Sequence, residues 1–226
     1  MRRYSKITVI FIICSLSAST VLGNETQWKE LNNEILKFYR EGKYQDAEKV
    51  AERALNVAEE TFGPDHPKVA ISLNNLATLY RISGKYPEAE RLYQRALGIK
   101  EKAFGLNHPE VATTLNNLAG LYKAQGKYSK AEPLYQRALE IREKTLSKDH
   151  PDLGQSLNNL ALLYKIQGRY DKAEPLYKRA LSIWEKVLNP DDPAIKTLLE
   201  NMLELYKQLD KPNEVIKIKK RLEKIH

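Results

Sequence analysis

Ser72-Leu73-Asn74-Asn75-Leu76-Ala77 returns as Thr114-Leu115-Asn116-Asn117-Leu118-Ala119 and again as Ser156-Leu157-Asn158-Asn159-Leu160-Ala161, each copy 42 residues after the last. The text between the copies repeats as well: residues 70–111 and 112–153 are identical at 24 of 42 aligned positions. A period of this length belongs to arrays in which each supersecondary unit buries its apolar face only against its neighbours. Such a chain grows by addition. Its function is expected on an extended surface rather than in a catalytic pocket.

Within residues 70–111, Leu73, Leu76, Ala77 and Tyr80 follow the spacing of a helical stripe. Gly84 breaks it, and Lys85-Tyr86-Pro87 turns the chain. Ala89, Leu92, Tyr93, Ala96, Leu97 and Ile99 then predict a longer second helix ending near Phe104-Gly105. Each repeat therefore reads as a helical hairpin. Ala77, Ala119 and Ala161, with Ala89, Ala131 and Ala173, let the two backbones approach, and Tyr80, Tyr122 and Tyr164 fill the space further along. Pro133 and Pro175 are expected within the first turn of their helices, where the missing amide hydrogen costs nothing. The reading gives five hairpins, at about 28–69, 70–111, 112–153, 154–195 and a degenerate 196–226. The ends depart from the pattern as capping units do: Glu34 takes a Leu position, Glu200 an Asn position, and Asp210 and Pro212 those of Gly and Tyr.

Residues 1–23 differ in kind. Arg2, Arg3 and Lys6 precede an apolar run from Ile7 through Ile13 to about Ala18, and small residues lead to Gly23. This is the layout of a secretory signal, with Val21-Leu22-Gly23 or Ser17-Ala18-Ser19 as the cleavage region. The alternative is an uncleaved anchor, although the apolar core is shorter than the roughly 20 residues of a spanning helix. Cleavage would remove Cys14, the only cysteine, leaving a chain without disulfides, and would lower the formal charge from +8 to +5. The expectation is an exported protein, periplasmic or secreted and of bacterial origin, with no membrane span after cleavage.

No phosphate-binding glycine loop, zinc-protease helix or nucleophile elbow is present. His66, His108 and His150 recur once per repeat, in Asp65-His66-Pro67, Asn107-His108-Pro109 and Asp149-His150-Pro151. On successive hairpins, whose helices pack about 8–10 Å apart, they are too dispersed for one metal ion. They read instead as helix starts, with a capping side chain followed by Pro in the first turn. No enzyme activity, cofactor or metal site is expected. Charges of both signs are interspersed, so nucleic acid is not an expected partner.

The small-residue and aromatic positions Leu76-Ala77, Tyr80, Gly84, Tyr86, Ala89, Tyr93 and Ala96 resemble the tetratricopeptide repeat, whose period is about 34 residues. The longer variant seen here, with Leu-Asn-Asn-Leu-Ala, Gly-Lys-Tyr, Ala-Glu-Pro-Leu-Tyr and Asp-His-Pro, is similar to the repeats of kinesin light chains and their bacterial relatives. The resemblance covers nearly all of residues 28–226. It implies an all-α, right-handed superhelical solenoid in which the first helices line the concave wall.

On those helices Asn74, Thr78, Arg81 and Ile82 are expected opposite the core-facing stripe. Steps of 42 turn them into rows: Asn32, Asn74, Asn116, Asn158 and Glu200; Tyr39, Arg81, Lys123, Lys165 and Lys207; Leu36, Thr78, Gly120 and Leu162; and Arg40, Ile82, Ala124 and Ile166. Carboxamides can pair with the backbone of an extended peptide, and cations attract carboxylates. The resemblance implies peptide contact at Asn74, Asn116 and Asn158, and at Asn32. The expected site is therefore Asn32, Asn74, Asn116, Asn158, Thr78, Arg81, Lys123 and Lys165, holding an acidic peptide of a partner protein. Asn75, Asn117 and Asn159 could instead bond between adjacent first helices. The alternative function is a structural unit whose groove is filled by its own chain or a second copy, through Val215, Ile216, Ile218, Leu222 and Ile225.

Overall fold

Each break in the 42-residue pattern becomes a turn in the computed structural model, which describes residues 6–225. The chain divides into two compact units, residues 1–103 and 104–226. The first holds α1 (Lys6–Arg40), α2 (Tyr44–Phe62), α3 (Pro67–Ile82) and α4 (Tyr86–Phe104). The second holds α5 (Pro109–Ala124), α6 (Tyr128–Thr145), α7 (Pro151–Ile166), α8 (Tyr170–Val187), α9 (Pro193–Gln208) and α10 (Pro212–Leu222). Among the described residues there are thus ten helices in five antiparallel hairpins and no strand. The odd-numbered helices are the first of each pair.

The turn inside a hairpin is set by one backbone conformation. Gly84 adopts φ 76°, and the amide of Lys85 donates to the carbonyl of Tyr80 at 2.8 Å, the closing bond of a Schellman cap. The same link joins Lys127 to Tyr122 and Arg169 to Tyr164, both at 2.9 Å. In the last hairpin Asp210 holds the left-handed position at φ 51°, and Lys211 still reaches Tyr206. An aspartate tolerates this conformation less well than glycine, so the terminal repeat keeps the turn while its sequence drifts.

The turns between hairpins use the histidines as read from the sequence. Nδ1 of His66, His108 and His150 accepts the amide of Lys68, Glu110 and Asp152, each at 3.1 Å, with Pro as the first helical residue. Asp192 Oδ1 does the same for Ala194 at 2.8 Å. The rings of His66 and His108 also stack on Phe62 and Phe104. His108→Ala should therefore lower the stability of the second unit by about 1 kcal/mol, whereas His108→Asp should retain most of it, as Asp192 does. Urea unfolding of the two variants checks this.

One local expectation is corrected. Pro133 and Pro175 lie at the sixth residue of α6 and α8, past the first turn. The helices begin at Tyr128 and Tyr170, directly after the glycine turn, so each proline leaves one carbonyl, of Ser129 or Asp171, without its intrahelical donor.

In the first unit Trp28, Leu31 and Ile35 of α1 pack with Ala47, Val50, Ala51 and Ala54 of α2 and with Leu73, Leu76 and Leu79 of α3. Trp28 Nε1 donates to the buried Ser72 Oγ at 2.8 Å, tying one first helix to the next. In the second unit α5, α7 and α9 likewise lie side by side, backed by α6, α8 and α10. Arg142 of α6 is buried where these helices meet. Its Nη1 donates to the Asp152 carbonyl at 2.7 Å and to Ser156 Oγ at 3.0 Å, and its Nη2 donates to Thr113 Oγ1 at 3.2 Å. Burial pushes this guanidinium down from its ordinary value, with the charges of Asp152 and Glu110 opposing the shift.

The last hairpin differs from the others in the chemistry of its first helix. Ala112 and Gly154 are buried, but Lys196 at the same repeat position is exposed, as are Glu200, Glu204 and Lys207 along α9. Stacking a further helix there would bury those charges without partners. Among the described residues no helix is long and apolar enough to cross a membrane. Arg2 and Arg3, the basic start of the expected export signal, lie outside the described residues. The backbone of residues 6–23 is helical and continuous with α1.

Candidate functional site

Asparagines of the two rows bond between first helices within each unit. Asn75 Nδ2 donates to Asn32 Oδ1 at 2.9 Å across α1 and α3, while Asn32 Nδ2 donates to the Trp28 carbonyl at 2.7 Å. Asn116 Nδ2 donates to Ser156 Oγ at 2.8 Å across α5 and α7. Asn74 and Asn116 are each only 6% exposed, and Asn116 Oδ1 is closed to solvent. The expectation that this row lies on the open face is thus corrected at both positions. A helical wheel places both away from the hairpin's own core, and in the second unit α7 meets Asn116. Asn32 and Asn158 are half-buried. The back-to-back bonding weighed for the second row is present at Asn75. Asn159 Oδ1 instead accepts from Gln155 within its own helix, at 2.9 Å.

The open face is made by other members of the rows. In the first unit Leu36 and Tyr39 are exposed, and with Ile35, Asn75, Thr78 and Leu79 they line a hollow of about 200 Å³. Thr78 is half-buried because its hydroxyl is engaged: it donates to the Asn74 carbonyl at 2.9 Å and lies 2.8 Å from the hydroxyl of buried Tyr93. Burial pushes the Tyr93 phenol up, and contacts from Thr78 and Arg81 partly offset it. Arg81 is half-exposed at the end of this network, on the same helix face as Thr78.

In the second unit Lys123 and Lys165 are half-exposed. Lys165 Nζ donates to Asn201 Oδ1 at 2.8 Å, so an asparagine of the next first helix holds the ammonium in place. Burial pushes its pKa down, opposed by the charge of Glu204. Ile166, 46% exposed, stands beside it. The position of Thr78 becomes Gly120 and Leu162, and the tyrosine behind it becomes Tyr135 and Tyr177. Gly120 leaves the Tyr135 hydroxyl close to its backbone, and Leu162 brings no hydroxyl; the Tyr177 hydroxyl is buried and meets no partner among the described residues. The repeats therefore offer different floors beneath the same framework.

Sequence reasoning missed Asn201 as the residue that steadies Lys165 and Tyr93 as the anchor for Thr78. The 42-residue register carried the first signal, since Asn201 continues the row of Asn75, Asn117 and Asn159 into an otherwise degenerate repeat. The apolar surface assigned to the alternative function is already used: Ile218 is buried and Val215, Leu222 and Ile225 are half-buried against their own hairpin, leaving Ile216 exposed. Among the described residues no group of three potential ligands could hold a metal ion.

The tetratricopeptide-repeat profile matches residues 37–102, 84–144, 110–183 and 152–225. A putative kinesin light chain of Podosopora anserina with nearly identical TPR-like repeats is 23% identical, with TM-score 0.69, and the match covers 87% of this chain and 93% of that one. BtubC (BKLC) from P. vanneervenii is also 23% identical, with TM-score 0.74 and coverage of 92% and 87%. PilF of Pseudomonas aeruginosa is 18% identical, with TM-score 0.65 and coverage of 89% and 77%. No curated protein sequence matches the chain. At these identities the solved structures speak to fold alone, an all-α solenoid of helical hairpins. That fold serves as a scaffold for protein–protein interaction, and such scaffolds are generally non-enzymatic.

Proposed function

The chain belongs to the tetratricopeptide-repeat family, and on that premise we propose that it is an exported adaptor that holds an extended acidic segment of a partner protein against its first helices. The observation that carries the reading is the company each cation keeps. Arg81 shares its face with the hollow of Leu36, Tyr39 and Thr78, and Lys165 stands beside Ile166 and Leu162. A peptide laid on either unit meets a positive charge for a carboxylate and apolar surface for the adjoining side chain. Asn116 acts by joining α5 to α7 and Asn32 by joining α1 to α3, while Asn158, half-buried with its Oδ1 closed to solvent, has Nδ2 as the group to offer a peptide carbonyl. Export rests on the basic-apolar-small order of residues 1–23.

Photo-crosslinking from Leu36 and from Ile166 in the native compartment tests the adaptor. The expected product maps to one acidic, extended segment of one partner and is missing when the crosslinker sits at exposed Gln94 of α4. Identical products from all three positions would remove the assignment of the first-helix face.

A further inference from the structure

The charge of the chain is not spread evenly over its second helices. α4, α6 and α8 each carry a net +1 over 18 or 19 residues, and α2 carries −3. α10 carries +3 in 11 residues. Over residues 211–224, Lys211, Lys217, Lys219, Lys220, Arg221 and Lys224 stand against Glu214 and Glu223, a surplus equal to half the formal +8 of the whole chain. Such asymmetry marks an interaction element rather than a solvated helix.

Placement within α10 separates the cations that serve the fold from those that do not. Arg221 pairs with Glu185 of α8, Lys211 with Glu174 at 2.6 Å, and Lys217 with Glu214 at 2.8 Å. Lys219, Lys220 and Lys224 are exposed, and among the described residues no carboxylate pairs with them. The helix packs on α9 through Ile218, Val215 and Leu222. At about 100° per residue Lys220 falls opposite that contact, one turn beyond Ile216, and Lys219 flanks it. Lys224 lies in the turn after α10, at the rim of a hollow lined by Pro190, Asp191 and Ile195. Ile216 is 52% exposed, an aliphatic side chain in the middle of a cationic outer face.

We propose that the exposed cations of α10 and its following turn dock the protein on an anionic phospholipid surface, with Lys219, Lys220 and Lys224 at the headgroups and Ile216 entering the interface. Cations attract anionic headgroups, and an apolar residue among them adds the burial that a purely electrostatic contact lacks. A nucleic acid would also answer to the charge. It would make no use of Ile216, and α10 carries no aromatic residue on which a base could stack. The surface is built from a second helix and its following turn, so it is independent of the first-helix face described above.

The test is co-sedimentation of the full chain with vesicles of equal parts phosphatidylcholine and phosphatidylglycerol, and with phosphatidylcholine vesicles alone. The triple variant Lys219→Gln, Lys220→Gln, Lys224→Gln should bind the anionic vesicles on the order of a hundredfold more weakly than the parent. The corresponding triple arginine variant should bind as the parent does, which separates lost charge from lost fold. Ile216→Ser should weaken binding several-fold, and the phosphatidylcholine vesicles should not distinguish any of these chains. Equal binding of the parent and the glutamine variant to anionic vesicles overturns the proposal. So does unchanged binding of the Ile216→Ser chain, or lysine-dependent binding of a single-stranded oligonucleotide without lysine-dependent binding of vesicles.

Discussion

Trp184→Ala should destabilise the second unit by about 3–5 kcal/mol, the cost of emptying a large buried site. Trp184 is 3% exposed, and its Nε1 donates to the Pro151 carbonyl at 3.0 Å. The indole lies against Gly154 so closely that a Cβ there would stand 2.7 Å from Trp184 Cδ1 and nearer still to Nε1. Gly154→Ala alone should therefore cost about 1–3 kcal/mol through overpacking. In the Trp184→Ala background the same change should reverse sign and stabilise by about 0.5–1 kcal/mol, since alanine suits a helix better than glycine. A urea-unfolding cycle reads the coupling, and additive single and double variants would defeat this account. Hydrogen exchange should place the loss in α7 and α8, because a repeat array melts unit by unit.

That pair belongs to a register running through the first four hairpins. The first-helix position holds Trp28, Ala70, Ala112 and Gly154; its second-helix counterpart holds Ala58, Lys100, Arg142 and Trp184. A tryptophan stands opposite an alanine in the first hairpin, and the large and small sides have exchanged by the fourth. The period alone makes the register legible in the sequence. The exchange is legible only once both columns are known to meet at the same depth.

The same division between period and packing explains what sequence reading reached. The hairpin, its glycine turn and the capping histidines follow from local chemistry, and all lie where the sequence placed them. The burial of Asn116 does not follow from one helix, because the serine that meets it belongs to the next repeat. Pro133 shows the reverse problem: the turn at Gly126 starts the helix so promptly that a residue read as initial becomes interior. At the candidate site the positions of Arg81, Lys123 and Lys165 were legible. Their restraint by Tyr93 or Asn201 was not, since those contacts join residues 12 and 36 apart in sequence.

Arg81→Glu, Lys123→Glu, Lys165→Glu should reduce capture of an acidic partner segment on the order of a hundredfold or more, because attraction is replaced by like-charge repulsion. Lys165 should account for a disproportionate share. Partial burial and the bond to Asn201 hold its ammonium in one place, so less conformational freedom is lost when a carboxylate arrives, and solvent screens the contact less. Lys165→Glu would also face Glu204, whose charge already acts on this position. Lys165→Gln therefore serves as the companion variant, removing the cation without adding repulsion. The expected order of affinity is parent, then Lys165→Gln, then the triple variant. Fluorescence anisotropy with the crosslinked segment, repeated at rising salt, measures it. The parent should lose affinity with salt and the triple variant should not. Full affinity in the triple variant would mean that the cation rows are ordinary solvated surface and that the apolar hollow beside Leu36 and Tyr39 carries recognition by itself.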